Sequence, residues 1–278
     1  MLNQTQLEQY NRDGFLVVEN FVSHESCDAL RTRIGELAAD FNPADVVSIF
    51  STNEQNRIAD KYFMESSDKI RFFFEENAFN QDGTLKQSKE QSINKIGHAL
   101  HDCDPLFDRF SRDLKIKELI SDLGFTNPLL MQSMYIFKQP RIGGEVNCHQ
   151  DSTFLYTDPN AIAGLWFALE DATVENGCLW TIPAGHHEGL KSRWVRDGNG
   201  SMKFVNLNTK EWDVGRLIPL EVSKGTLILL HGLLPHLSRQ NTSPRSRHAY
   251  TLHVISGDVE YSADNWLQRA STSPARGF

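Results

Sequence analysis

Apolar residues recur at helical spacing in the first part of the chain and at strand spacing in the second. Cys27, Leu30, Ile34, Leu37 and Phe41 fall three or four apart behind Ser23, an N-cap residue, with Val22 and Cys27 placed as a hydrophobic staple; this predicts a helix. Ahead of it, Thr5 and Glu8 have capping-box spacing for a short helix that Gly14 would end, and the apolar, β-branched Phe15-Leu16-Val17-Val18 reads as a strand. A third helix is predicted over 105–123, with Leu106, Phe110 and Leu114 on one face and Gly124 as its stop. Between these, Ile70, Phe72 and Phe74 alternate with Lys69, Arg71 and Phe73 and lead to the turn residues Asn80-Gln81-Asp82-Gly83. Residues 69–83 therefore read as a strand entering a hairpin, with a helix as the alternative.

From Pro128 onward the pattern changes to short β-type runs at 129–139, 163–170, 178–182, 217–222, 226–230 and 249–255, separated by Gly, Pro, Asn and Asp. Such spacing predicts a sandwich or jelly roll, mainly β, with helices packed on the outside of one sheet layer. No repeat or linker divides the chain, so 1–278 is expected to form one domain, with a helix-rich part at about 1–125 and a strand-rich core at about 126–260.

Composition narrows the partners. Among 278 residues, 40% are hydrophobic and 23% charged, with 17 Phe and 5 Trp, which excludes a disordered or collagen-like chain. The formal charge of −8 opposes a phosphate backbone or an anionic leaflet, so neither nucleic acid nor membrane is an expected partner. Cys27, Cys103, Cys148 and Cys178 form no CxxC pair, which fits reduced thiols. With no basic and apolar leader, no membrane-length apolar run and no peroxisomal address at the terminus, a cytoplasmic location is expected.

The candidate chemistry sits in Glu145-Val146-Asn147-Cys148-His149-Gln150-Asp151-Ser152. In extended chain His149 and Asp151 share a face and Gln150 points away, so one imidazole and one carboxylate converge. A distant histidine would complete the 2-His-1-carboxylate set that holds Fe(II) with adjacent positions open. A His-x-Asp tripeptide alone equally describes a structural hydrogen-bonded pair. The buried run 226–230 ends in His231 and His236, either of which could be the third ligand. Arg247 follows, and a guanidinium entering a strand-lined cavity suits a planar carboxylate; its alternative is a surface position in the turn with Arg245.

Taken together, His149-Gln150-Asp151, Leu234-Pro235-His236-Leu237-Ser238, Asn241 and Arg247 resemble the phytanoyl-CoA dioxygenase family of Fe(II)/2-oxoglutarate oxygenases. Runs such as Ser133-Met134-Tyr135-Ile136-Phe137-Lys138-Gln139-Pro140, Gly143-Gly144-Glu145-Val146 and Asn265-Trp266-Leu267-Gln268 extend the likeness over nearly the whole chain. The resemblance implies a double-stranded β-helix, with His149, Asp151 and His236 binding Fe(2+) and His231 left as a neighbouring or core histidine. It also implies that Arg247, helped by Ser238, binds the C5 carboxylate of the cosubstrate 2-oxoglutarate, and that Lys95, Met134 and Trp166 contact the same molecule. O2 is the other cosubstrate. Read without the family, Lys95 would be a solvated lysine, and Met134 and Trp166 core strand residues. His24, His98, His101, His248 and His253 have no partner at metal-ligand spacing. His186 matches a family histidine near the mouth of the site, as a substrate contact.

The implied reaction couples decarboxylation of 2-oxoglutarate, giving succinate and CO2, to hydroxylation of a substrate. Asp151 stands against a halogenase, which lacks that carboxylate. The rival classes are a zinc or manganese cupin-like hydrolase or isomerase and a non-catalytic 2-oxoglutarate- or metal-binding regulator. The substrate, a small or acyl-type molecule, is not named by the residues. Lys191, Arg193 and Arg196 serve equally as solvated charges or as a coenzyme A phosphate site.

Overall fold

The computed structural model describes residues 1–43, 48–49, 61–198 and 201–278. In chain order the strands are β1 (Phe15–Val18), β2 (Ile70–Phe74), β3 (Ile93–His98), β4 (Pro128–Ile136), β5 (Val146–His149), β6 (Thr157–Asp158), β7 (Ile162–Ala168) and β8 (Leu179–Thr181). There follow β9 (Ser192–Arg196), β10 (Met202–Asn206), β11 (Ile218–Leu220), β12 (Leu227–His231), β13 (His236–Ser238), β14 (Ala249–Ser256) and β15 (Glu260–Tyr261). A seven-stranded sheet in the order β1-β12-β7-β14-β4-β3-β2 faces a four-stranded sheet in the order β11-β8-β13-β5. This is the double-stranded β-helix that the family resemblance implied, and it agrees with the sandwich or jelly roll read from the strand pattern. The helix-rich and strand-rich parts are not separate in space, since β1, β2 and β3 from the first part are strands of the larger sheet.

Alternation divides that sheet between two environments. Tyr135, Phe167, Leu229, Tyr250 and Leu252 point into a core shared with Leu30, Ile34, Phe107, Leu119 and Ile120 of the helical layer. Their neighbours along the pleat, among them Met134, Trp166 and Thr251, line a cavity between the two sheets.

The local readings hold in part. Helix α2 (His24–Asp40) is capped by Ser23 and buries Cys27, Leu30 and Ile34 as the spacing requires. Helix α1 (Gln4–Asp13) has its capping box at Asn3 and Gln6 rather than at Thr5 and Glu8. The Asn3 side-chain oxygen accepts the Gln6 N–H at 2.9 Å, and the Gln6 side-chain oxygen accepts the Asn3 N–H at 3.0 Å, so the helix starts before Thr5 can cap it. Gly14 ends α1 at φ +82°, and a Cβ there would also lie 2.4 Å from the His186 ring. The single helix over 105–123 is two, Pro105–Ser111 and Leu114–Asp122, because Asp113 caps the second through the Lys115 N–H. That break resets the helical phase, and Leu114 is 71% exposed instead of stacking on Phe110. The strand expected to open a hairpin at 69–83 is β2, but its partner is β3, with Ile70 opposite His98. Asn80–Gly83 closes only a small loop bridged by Phe79 and Leu85.

The C-terminal segment is tied to the helical layer by one carboxylate. Asp102 meets Arg112 at 2.7 Å, Arg276 at 2.8 Å, Arg269, and His101 at 3.3 Å. Burial alone would raise its carboxyl, but His101, Arg276 and Arg112 outweigh burial and hold it well below the usual carboxylate range. Asp102→Asn is expected to lower unfolding stability by about 3 kcal/mol, since the largely buried Arg269 guanidinium loses its counter-charge, while Arg112 keeps Asp108. Because the folded carboxyl is depressed, the contribution is complete above about pH 4 and is lost on acidification. Urea unfolding at pH 7 and pH 3 checks both statements, and equal destabilisation at the two pH values would contradict the charge account. Among the described residues, no helix is long and apolar enough to cross a membrane.

Candidate active site

Two adjacent strands of the smaller sheet place the histidines. β13 pairs with β5 so that His236 lies directly opposite His149, and their ring centroids are 4.3 Å apart. Gln150 continues the extended chain, and Asp151 opens a short 3₁₀ turn beyond it, aimed back at the two rings. Gln150 faces away, donating to the carbonyls of Gly189 and Leu233. Asp151 Oδ1 is 3.9 Å from His149 Nε2 and 3.7 Å from His236 Nε2, too far for hydrogen bonds, and one ligand atom of each residue lies within 4.8 Å of the others.

The tautomers follow from the other nitrogens. His149 Nδ1 donates to the Asn147 carbonyl at 2.8 Å, and His236 Nδ1 donates to the Leu234 carbonyl at 3.0 Å. Both Nε2 lone pairs are therefore left facing Asp151, the arrangement neutral imidazole needs to bind a metal. His231, the other histidine after β12, is not part of this group. Its ring packs against Tyr10 and His186 beneath α1, and burial lowers its pKa to about 4.

Asp151 is buried, which would raise its carboxyl, but the imidazoles of His253, His236 and His149 hold it well below the usual range. His253 Nε2 stands 3.3 Å from Oδ1 and fixes that oxygen. Oδ2 is buried with no hydrogen-bond partner among the described residues, and a Cβ on Gly164 of β7 would sit 2.6 Å from it. A glycine is required there for the carboxylate to lie flat on the sheet. Gly164→Ala is expected to swing the carboxylate and weaken Fe(II) binding about tenfold while the melting temperature changes little, as an isothermal metal titration beside a thermal scan would show. Unchanged metal affinity would mean the carboxylate is not held by this contact.

The cavity has a volume of about 390 Å³, within the range of small-molecule sites. Arg247, two residues before β14, is 1% exposed and borders it. Its Nε donates to the Gly177 carbonyl at 3.1 Å, and its guanidinium carbon lies 5.1 Å from the centre of the Trp166 ring. Nη1 is buried with no hydrogen bond, and no carboxylate lies within 4.0 Å among the described residues. Burial lowers this guanidinium to about 10, still far above neutrality, so a full positive charge waits in the cavity without a counter-ion. Ser238 and Met134 border the same space, and Lys95 Nζ sits 3.8 Å from Met134 Sδ and 5.2 Å from the centre of the Phe63 ring. Phe63, Phe154, Trp194, Phe204, Trp212 and Trp266 form the aromatic part of the cavity lining.

Every residue singled out for the metal and the 2-oxo acid thus borders one cavity. The position of His186 departs from expectation. Its Nε2 donates to the Asn11 carbonyl at 3.1 Å under α1, and it is not among the residues lining the cavity. Arg193 and Arg196 are occupied in structure. The first pairs with Asp264 at 2.5 Å over the Tyr156 ring, and the second donates to the carbonyls of Asn265 and Trp266. Lys191 does border the cavity, its ammonium over the Trp212 ring at 4.3 Å. Sequence reasoning missed His253 and Lys138, although both carried a signal. His253 lies two residues from Thr251 on β14, Lys138 lies two residues beyond Ile136 at the end of β4, and residues at even offsets in extended chain share a face.

The fold and the metal-shaped cluster define a non-haem iron oxygenase of the double-stranded β-helix type. The chain superimposes on EctD from S. alaskensis in its apoform with a TM-score of 0.66, 17% identity, and coverage of 99% of this chain and 84% of that one. A TM-score of 0.67 at 15% identity relates it to SnoK, a non-heme alpha-ketoglutarate-dependent carbocyclase from nogalamycin biosynthesis, over 99% of this chain and 97% of that one. In sequence, residues 10–249 match the family model for phytanoyl-CoA dioxygenase, and the chain belongs to the phytanoyl-CoA dioxygenase family. A phytanoyl-CoA dioxygenase of Arabidopsis thaliana is 49% identical over 97% of this chain and 94% of its own length. Phytanoyl-CoA dioxygenase domain-containing protein 1 of Bos taurus is 45% identical over 98% of this chain and 97% of its own. The protein is accordingly a dioxygenase, with Fe(II), 2-oxoglutarate and O2 as its cofactor set. The donor set, the orphaned Asp151 oxygen and the unpaired buried guanidinium fit that set.

Proposed function

We propose that the protein is an Fe(II)/2-oxoglutarate-dependent hydroxylase acting on a small molecule. The observation that carries the reading is a buried guanidinium without a counter-ion in the same cavity as two correctly tautomerised imidazoles and a carboxylate. His149, Asp151 and His236 would hold the ion, with His253 keeping the Asp151 carboxylate oriented. When bound, the ion supplies activation of O2, coupled to decarboxylation of 2-oxoglutarate to succinate and CO2 and to hydroxylation of a C–H bond.

The chain's own residues bind and orient. Arg247, braced by the Gly177 carbonyl and the Trp166 face, presents a planar fork to the C5 carboxylate, and Ser238 adds a hydroxyl. Met134 and Trp166 shape the apolar flank of the cosubstrate, and Lys95 adds positive charge on the side toward Phe63. The aromatic part of the lining keeps water from the reacting C–H bond and holds it in position. Since Arg193 and Arg196 are committed to the 262–266 segment, they build no phosphate site, and an acyl-coenzyme A is not favoured as substrate.

Purified protein given Fe(II) and 2-oxoglutarate is expected to form succinate slowly in air and none without oxygen, with a substrate accelerating the reaction. Oxygen-independent turnover, or tight zinc binding with no succinate under any condition, would favour a hydrolase or isomerase.

A further inference from the structure

Arg247 is not alone at its end of the cavity. Lys138 lies two residues beyond β4, in step with Gln132, Met134 and Ile136, and borders the same space while 1% exposed. Its backbone stands at φ +42°, with its carbonyl accepting from Asn241 Nδ2 at 3.0 Å and from the Arg247 N–H at 3.3 Å. The stem passes Gly177, where a Cβ would sit 2.6 Å from Lys138 Cε. A larger residue at 177 would push the lysine aside. The ammonium donates to the Gly144 carbonyl at 2.5 Å and to Ser238 Oγ at 2.8 Å, and it has no carboxylate within 4.0 Å among the described residues.

An ammonium carries three donors and no acceptor. Ser238 Oγ must therefore be the acceptor in that contact, and its own proton is free to point elsewhere. No hydrogen bond among the described residues takes it up. One ammonium proton, the serine hydroxyl and Arg247 Nη1 are thus three unspent donors on side chains bordering one cavity.

We propose that Lys138 is a second anchor for the far carboxylate of the 2-oxo acid, setting the Ser238 hydroxyl as a donor and taking up a proton as the carboxylate binds. The inference rests on the oxygenase reading above. Burial and the charge of Arg247 disfavour the ammonium and bring it down to about 7. The groups that favour it are Glu75, Glu145 and Cys178. Glu75, after β2, accepts the Gly144 N–H at 3.0 Å, and burial raises its carboxyl; the Cys178 thiol is pushed up to about 11 by burial and is neutral at physiological pH. A carboxylate arriving between Lys138 and Arg247 adds the missing opposite charge and raises the lysine again. The pKa is therefore lower in the empty pocket than in the filled one. Affinity for the dicarboxylate should be flat below about pH 7 and fall about tenfold per pH unit above it, until the pKa of the filled pocket is reached.

Calorimetry on the Fe(II)-loaded full chain, free of oxygen at pH 8 and in two buffers of different ionisation enthalpy, tests this directly. Wild-type protein is expected to take up nearly one proton per 2-oxoglutarate, and almost none with 2-oxobutyrate, which keeps the 2-oxo acid head and lacks the far carboxylate. Lys138→Met should bind 2-oxoglutarate at least about tenfold more weakly, without proton uptake, and should keep its affinity for Fe(II) and 2-oxobutyrate. Glu75→Gln should retain the uptake, which assigns the proton to the lysine. The proposal fails if wild-type protein binds 2-oxoglutarate without proton uptake, if uptake persists with 2-oxobutyrate, or if Lys138→Met keeps it. A wild-type protein that binds Fe(II) but no 2-oxoglutarate would instead overturn the oxygenase reading on which it stands.

Discussion

Asp151→Ala protein is expected to bind Fe(II) more than about a hundredfold more weakly and to form no measurable succinate. Partners that only support a ligand cost about ten- to a hundredfold in metal affinity, and removal of the ligand itself exceeds that range. Asp151 is the sole anion among the three residues that converge, and the remaining two are imidazoles held neutral by carbonyl bonds from Nδ1. The variant should still fold, because the substitution also removes a buried carboxylate that folding must desolvate. Metal titration, succinate formation and a thermal scan together separate loss of the site from loss of the structure. Wild-type succinate production by this variant would dismiss the cluster as the iron site.

Arg247→Ala should leave Fe(II) affinity unchanged and raise the KM for 2-oxoglutarate about a hundredfold, with kcat at saturation falling only a few-fold. Truncating one side of a buried, hydrogen-bonded charge pair costs about 2–5 kcal/mol, and this contact lies far along the cosubstrate from the reacting end, so it is made alike in ground and transition states. The 2-oxo acid without a far carboxylate should lose little between wild type and variant, which makes 2-oxobutyrate the control. An equal fall in kcat for both compounds would show that Arg247 shapes the site rather than anchors one carboxylate.

How far the chain discloses this arrangement varies from element to element. β7, β12 and β14 are legible because runs such as Ile162–Ala168 and Ala249–Ser256 are apolar and β-branched and end at clear turn residues. β3 is not. Ile93–His98 holds Asn94, Lys95 and His98, which read as a solvated segment, yet all six of its residues are buried because one side of the strand faces the cavity. The split of 105–123 was hidden because Asp113 can be a helical residue or a cap, and only packing of Ile116, Leu119 and Ile120 selects the cap. His253 was passed over because it is no ligand. Its contact with Asp151 joins β14 of the larger sheet to the turn that follows β5 of the smaller one, and no local spacing encodes such a meeting.

The amino-acid order carries what short-range geometry can carry, namely which runs form strands, that His149 and Asp151 turn to one side while Gln150 turns to the other, and which residue types are fit to hold iron and a dicarboxylate. Recognising the family from those residues pointed to His236, but the residues alone leave it level with His231, since both close the same apolar run. Pairing of β13 with β5 separates them, setting His236 across from His149 and leaving His231 beneath Tyr10. The same long-range packing strips Arg247 and Lys138 of water side by side in one pocket. A charge acquires its function there from what surrounds it, and the surroundings come from strands far apart in the chain.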